Sequence, residues 1–193
     1  MTQVRLAVPD DADAITEMVA AAFATDPGWS YMTYGENHSA MRAFARALLI
    51  PRIRRGTAWV SDDNMAVAMW DRRASDLPAD PDHDERWAAF RAEVGDAIAD
   101  RIDLYDAAVA AAGPARPYWY LGVLATHPSA QGRGLATAVL QPGLAAASAE
   151  GWDCWLETSS SGNKAFYAGR GFADGHAIDL PGAPTTWWLR RRP

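Results

Sequence analysis

Gln131-Gly132-Arg133-Gly134-Leu135-Ala136-Thr137 is the stretch that most restricts what this chain can become. An apolar, β-rich run precedes it, Tyr118-Trp119-Tyr120-Leu121-Gly122-Val123-Leu124-Ala125, and a long Ala-rich segment follows it. Strand, glycine turn and helix in that order aim several backbone N–H groups at one point. Gly132 and Gly134 lack a Cβ, so the turn can take φ > 0 and a ligand can come up against the backbone. A helix starting at Leu135 adds unpaired first-turn N–H groups and the positive end of its dipole. Such a concavity binds phosphate oxygens, here on the scale of a pyrophosphate.

The rest of the composition narrows the class. With 193 residues, 49% of them hydrophobic, the chain fits one domain spanning 1–193 with a full core. A single cysteine, Cys154, excludes an internal disulfide and fits a reducing cytoplasm. His38, His83, His127 and His176 are scattered without ligand spacing, so no metal is expected. Met1 to Arg5 runs quickly into Pro9-Asp10-Asp11 without a signal-peptide core, and no apolar stretch approaches a membrane span. A formal charge of −6 argues against nucleic acid as a partner. An anionic cofactor must then be held by local dipoles and a few arginines.

Along the chain, Val4 to Val8 alternates like a first strand, and Asp10-Asp11 offers N-cap chemistry for a helix from Ala14 to Ala24. Asp26-Pro27-Gly28 reads as its end, followed by a loop rich in aromatics, Trp29 to Tyr34. A helix from His38 to Ile50, resuming after Pro51, leads to a hairpin of Thr57–Ser61 and Met65–Trp70. Residues 82–112 keep helical spacing as one long helix or two. Beyond the glycine turn, Leu135 to Glu150 reads as a helix that Pro142-Gly143 should kink or break. Asp153 to Thr158 is the next strand, Lys164 to Arg170 a short helix, and Phe172–Ile178 and Thr185–Leu189 the last strands. The βαβ unit needs parallel strands and the hairpins make the remainder antiparallel. The expected fold is α/β: a mixed, mostly antiparallel sheet of about seven strands with helices on both faces.

Two motifs in this order, Gln131-x-x-Gly134-x-Ala136 and Asn163 with Phe166-Tyr167 and Gly171-Phe172, resemble the GNAT superfamily of N-acetyltransferases. Val4-Arg5-Leu6-Ala7, Val60-Ser61-Asp62-Asp63, Ala66 to Trp70 and Leu156-Glu157-Thr158-Ser159 are similar to the puromycin-acetylating branch of that superfamily. The resemblance implies acetyl-CoA as co-substrate and a small-molecule amine as acceptor, an aminonucleoside or another amine antibiotic. It implies that backbone N–H groups of Arg133, Gly134, Leu135, Ala136 and Thr137, with Gln131 and Gly132, hold the pyrophosphate. The pantetheine arm would pair with Val123-Leu124-Ala125, whose edge also offers an N–H to the thioester carbonyl. Asn163 would bond the pantetheine or cap a helix. Tyr167 would serve as proton donor to the sulfur and Glu157 as general base, with His127 as a second candidate base.

Other readings stand beside these. The glycine turn is also compatible with a dinucleotide fingerprint, although Thr137 replaces its third glycine and too few residues follow for a doubly wound domain. Glu157 ends an otherwise apolar strand, where a carboxylate is costly unless it faces a cleft or a partner such as an arginine. Cys154, between two tryptophans, reads as an inert core residue. Trp29, Tyr31 and Tyr34 are candidates to line an acceptor pocket, with Glu157 at its end. A non-catalytic acyl-CoA-binding domain, or an enzyme acting on a protein or peptide amine, would use the same fold. Both a monomer and a homodimer fit.

Overall fold

The computed structural model describes residues 3–193, with Asp174 described in its backbone alone; Met1 and Thr2, which open the expected domain, lie outside the described residues. Strands are β1 (Val4–Leu6), β2 (Ala58–Ser61), β3 (Ala66–Arg73), β4 (Tyr118–Thr126), β5 (Cys154–Thr158), β6 (Ala173–Ile178) and β7 (Thr186–Arg191). Helices are α1 (Ala12–Phe23), α2 (Pro27–Thr33), α3 (His38–Arg54), α4 (His83–Val94), α5 (Asp96–Ala111), α6 (Leu135–Glu150) and α7 (Ser161–Ala168). One sheet runs β1-β2-β3-β4-β5-β7-β6, and every neighbouring pair is antiparallel except β4 with β5. One core forms between the sheet and α1, α3 and α5, around Ile15, Val19, Met41, Leu49, Met69 and Ile102. The other lies on the opposite face under α6 and α7, around Trp70, Leu140, Leu156 and Leu189.

Three expectations are corrected. Residues 29–34 belong largely to α2 rather than to a loop. Asp26 starts this helix instead of closing the previous one, because its Oδ1 accepts the N–H groups of Gly28 and Trp29, both at 3.0 Å, and Pro27 fits the first helical position. The short helix α7 begins at Ser161, so Asn163 sits inside its first turn and is not its cap. Helix α6 runs unbroken through Pro142-Gly143. The glycine beside the proline has its own reason: a Cβ at Gly143 would stand 2.3 Å from the indole of Trp70, so its absence lets that ring lie against the helix. The 82–112 segment is two helices, parted at Gly95 with φ +85°.

Strands β4 and β5 part early, and the gap between their diverging ends is the candidate cleft. Their parallel register covers only Trp119↔Cys154 and Tyr120↔Trp155; no later rung joins them. A bulge interrupts the pairing of β4 with β3. Met69 pairs with Val123 and Trp70 with Leu121, leaving Gly122 as an extra residue on β4. Residues two apart on a regular strand share a face. Here Trp119 and Leu121 enter the core beneath α6, whereas Val123 and Ala125 enter the opposite one. Gly122 leaves room at the bulge for the buried Arg52, whose Nη2 would stand 2.7 Å from a Cβ there.

Candidate active site

The glycine turn has the left-handed backbone expected of it. Gly132 and Gly134 take φ +77° and +81°, in the left-handed region, and a Cβ at either would meet nothing within 4 Å. Gly134 is the N-cap of α6 and has no side chain to occupy the first-turn N–H groups. Leu135, 2% exposed, anchors the helix start, while Gln131, Gly132, Arg133 and Gly134 are exposed. Ala136 and Thr137 are half-buried in the first turn. Open space, free N–H groups and a helix dipole fit a pyrophosphate. Arg133 lies 3.7 Å from Asp63 across this edge.

Arg170 was missed by sequence reasoning. Its Nε donates to Thr137 Oγ1 at 3.2 Å, Nη2 donates to the same oxygen, and Nη1 donates to the Phe166 carbonyl at 2.7 Å. The guanidinium lies 3.5 Å over the Phe166 ring. A cation thus ties the end of α7 to the start of α6, beside the turn. The available signal was an arginine one turn after Phe166-Tyr167.

At the other end of the cleft stands Glu157. It is half-buried, with part of the side chain still open to solvent. Its Oε1 accepts the Tyr120 hydroxyl at 2.7 Å, and its buried Oε2 has no partner among the described residues. Loss of hydration pushes its carboxyl up to about 7; the Tyr120 hydrogen bond opposes this and the charge of Asp106 reinforces it.

Tyr167 lies on α7, three residues of chain beyond Glu157 before that helix begins. Its ring packs edge-on against Phe166 and Phe172, at 5.3 and 5.7 Å, and is 8% exposed. The hydroxyl has no hydrogen-bond partner among the described residues. Burial, with Glu157 and Asp26 adding, holds its pKa well above the usual phenol value. The group therefore stays protonated and always presents a donor.

The remaining candidates divide. Val123 and Ala125 turn their side chains into the core, so what they and Leu124 offer a ligand is backbone. Asn163 is exposed at the start of α7, its N–H donating to the Ser160 carbonyl at 3.1 Å. Trp29 packs in the core between Phe23 and Phe44, at 4.4 and 5.0 Å. Tyr31 and Tyr34 lie under the guanidinium of Arg101, at 4.8 and 3.5 Å. The helix that carries Tyr31 and is capped by Tyr34 begins beside Ser159, since a Cβ on Gly28 would stand 2.6 Å from its Oγ. His127 Nδ1 is held by Ser129, 2.7 Å from its hydroxyl, in an exposed turn. Burial pushes the Cys154 thiol up to about 11, as suits a core residue. Among the described residues, no group of three or more His, Cys, Asp or Glu could hold a metal, and no helix is long and apolar enough to cross a membrane.

A model of the acetyltransferase (GNAT) family matches residues 55–172, which include the glycine turn, Glu157 and Tyr167. Among solved structures, a Corynebacterium glutamicum protein described as histone acetyltransferase HPA2 and related acetyltransferase aligns with a TM-score of 0.72 at 25% identity, covering 100% of this chain and 96% of that one. A Drosophila melanogaster polyamine N-acetyltransferase, described as forming N-acetylagmatine, aligns at 0.71 with 15% identity over 100% of both chains. A Thermoplasma acidophilum PaiA N-acetyltransferase in complex with coenzyme A aligns at 0.62 with 12% identity, over 100% of this chain and 99% of that one. The last two, at such identity, speak for the fold alone. The family match spans more than half of the sequence and contains both motifs, and on that ground the chain belongs to the GNAT family of acetyltransferases.

Proposed function

We propose that the protein transfers an acetyl group from acetyl-CoA directly to the amine of a small cationic molecule. The observation that carries this reading is the buried Glu157 Oε2, left without a partner, with its charge felt by the enclosed phenol of Tyr167. When bound, acetyl-CoA supplies the thioester, whose acyl carbon the amine attacks and whose sulfur leaves. The pyrophosphate would rest on the N–H groups of residues 133–137, with Gln131 and Gly132 shaping the approach and Arg170 beside it. Val123, Leu124 and Ala125 would offer backbone to the pantetheine, and Asn163 its side chain.

Glu157 Oε2 would take one proton from the cationic amine before attack, freeing the lone pair that forms the N–C bond; the proton that the nitrogen sheds after attack would leave with coenzyme A as its thiol. A carboxyl near 7 is matched to this task at neutral pH. Tyr167 would donate a hydrogen bond to the departing sulfur as the C–S bond breaks. Its raised pKa favours hydrogen-bond stabilisation over outright transfer of the proton. Asp106 and Asp26 bring further negative charge to the cleft, which favours an acceptor that arrives as a cation. Tyr31, on the helix beginning beside Ser159, and Tyr34, at its C-cap, would form its outer wall.

The acceptor is sought with a panel read by release of free coenzyme A: polyamines, agmatine, arylalkylamines, puromycin and peptides with a free N-terminus or lysine. Turnover of a small cationic amine supports the reading, and preference for puromycin supports the narrower resemblance to puromycin N-acetyltransferase. Preference for the peptides would make this a protein acetyltransferase. Tight acetyl-CoA binding with no turnover of any amine would make it a binding domain.

A further inference from the structure

The two oxygens of Glu157 have different surroundings, and one residue makes the difference. Tyr120 lies on the last rung at which β4 and β5 are still paired, opposite Trp155. Its hydroxyl reaches forward to Glu157 Oε1 at 2.7 Å. Its ring lies 5.9 Å from that of Trp188, and the Arg73 guanidinium stands over it at 5.2 Å. Arg73 is fixed in turn by Asp71 at 3.0 Å, and Asp71 by the buried Arg52 at 2.6 Å. A line of opposite charges thus runs from α3 through β3 to the phenol that touches Glu157.

A carboxylate at a strand end can turn about its side-chain torsions and present either oxygen. A charge-assisted hydrogen bond to one oxygen fixes its plane and leaves the other as the free acceptor. We propose that Tyr120, braced by Arg73, is a positioning residue of the acetyl transfer: it holds Glu157 Oε1 so that Oε2 receives the proton of the acceptor amine. This rests on Glu157 being the base.

The charges around Glu157 give the proposal opposite signs to test. On β4, Tyr120 bonds the anion and Tyr118 stands nearby; on β3, Arg73 favours the anion. On α5, Asp106 disfavours it, and Tyr105 faces it; on α7 stands Tyr167, and Asp26 at the start of α2 faces both of those tyrosines. Removing the Tyr120 hydroxyl withdraws a stabiliser of the ionised base. Removing the Asp106 charge withdraws a repeller.

The experiment is kcat/KM against pH for the full chain with the best acceptor of the panel. Tyr120→Phe keeps the ring contacts and is expected to move the acid limb up by about one pH unit, an approximately tenfold loss on that limb. Arg73→Met, an independent route to the same point, is expected to move it up by less, and Asp106→Asn to move it down. Glu157→Gln should abolish the limb. If Glu157→Gln abolishes it while Tyr120→Phe lowers the rate evenly or leaves the limb in place, the positioning role is overturned and Glu157 stands as base. A limb that survives Glu157→Gln overturns the base itself, and this proposal with it. Should Tyr120→Phe not fold, an unmoved limb in Arg73→Met overturns the bracing.

Discussion

Helix α6 offers an internally controlled test of the phosphate turn. Gly134 at its start and Gly151 just past its end both have left-handed backbone, φ +81° and +70°, and neither has an atom within 4 Å of a would-be Cβ. Alanine at either position therefore adds backbone strain without a steric clash. That strain is worth about 1–2 kcal/mol. For a domain of this size each 1 kcal/mol lowers Tm by ~2–4 °C, so both variants should fold and melt a few degrees early, by similar amounts. Binding should separate them. The two glycines lie at opposite ends of a helix of 16 residues, roughly 24 Å apart. If the open space beside Gly134 is where the pyrophosphate lies, a methyl group there displaces it from at least one N–H. A hydrogen bond to a charged group contributes about 1.5–3 kcal/mol, which corresponds to a Kd raised about 10- to 150-fold. Calorimetric titration with acetyl-CoA, beside thermal melts, reads both quantities. The expected result is weakened binding in Gly134→Ala and unchanged binding in Gly151→Ala at matched loss of Tm. Undiminished affinity in Gly134→Ala would refute the assignment of the turn, and equal weakening in both variants would show that strain transmitted through α6 is responsible.

Tyr167→Phe retains the packing against Phe166 and Phe172 and removes only the donor. It is expected to lower kcat ~10²-fold with little change in acetyl-CoA affinity, and a near-normal kcat with chemistry rate-limiting would return Tyr167 to the core. Glu157→Gln should gain stability over wild type as pH rises. The folded carboxyl titrates near 7, above its unfolded value of 4.5, so the wild type loses stability between those values and levels off past 7. Melting curves from pH 4 to 8 that stay parallel for the two proteins would exclude that shift. Gly143→Ala drives a Cβ to 2.3 Å from the fully buried Trp70 indole. The overpacking, about 1–3 kcal/mol, should outweigh a helix-propensity gain of about 1 kcal/mol and lower the urea midpoint; a raised midpoint would show that the indole has room to move.

Much of this fold was legible in sequence because its signals are local. Gly132 and Gly134 sit between a strand and an Ala-rich helix, and nothing beyond those residues was needed to place the turn. The misread elements involve residues whose local meaning is ambiguous. Asp26-Pro27 ends one helix pattern and caps the next with the same atoms, so only the N–H groups that Asp26 accepts decide between the two. Pro142 argues for a break in α6 from within the helix, while the reason Gly143 follows it lies on β3, in Trp70. Gly122 was visible as a glycine inside a strand, which is a bulge signal. Its consequence, the change of face between Leu121 and Val123, depends on the β3 register.

The site divides along the same line. Gln131 to Thr137, Glu157 and Tyr167 were nameable because a motif or an out-of-place carboxylate marks each one. What sets their chemistry was not, since it is contributed by residues without a motif. Tyr120 reads as one more apolar position of a central strand, yet its hydroxyl meets Glu157 across 37 residues of chain. Arg73 reads as the polar end of a hairpin, and Asp106 as an exposed position on a helix. A strand periodicity predicts which face a side chain occupies but not which polar atom it finds there. Glu157 shows why the difference matters. The same carboxylate would be a spent ion-pair partner with an arginine in contact; here its partner is the Tyr120 hydroxyl at 2.7 Å, with Arg73 held over that ring at 5.2 Å, and loss of hydration, against the pull of that bond, raises the carboxyl to about 7.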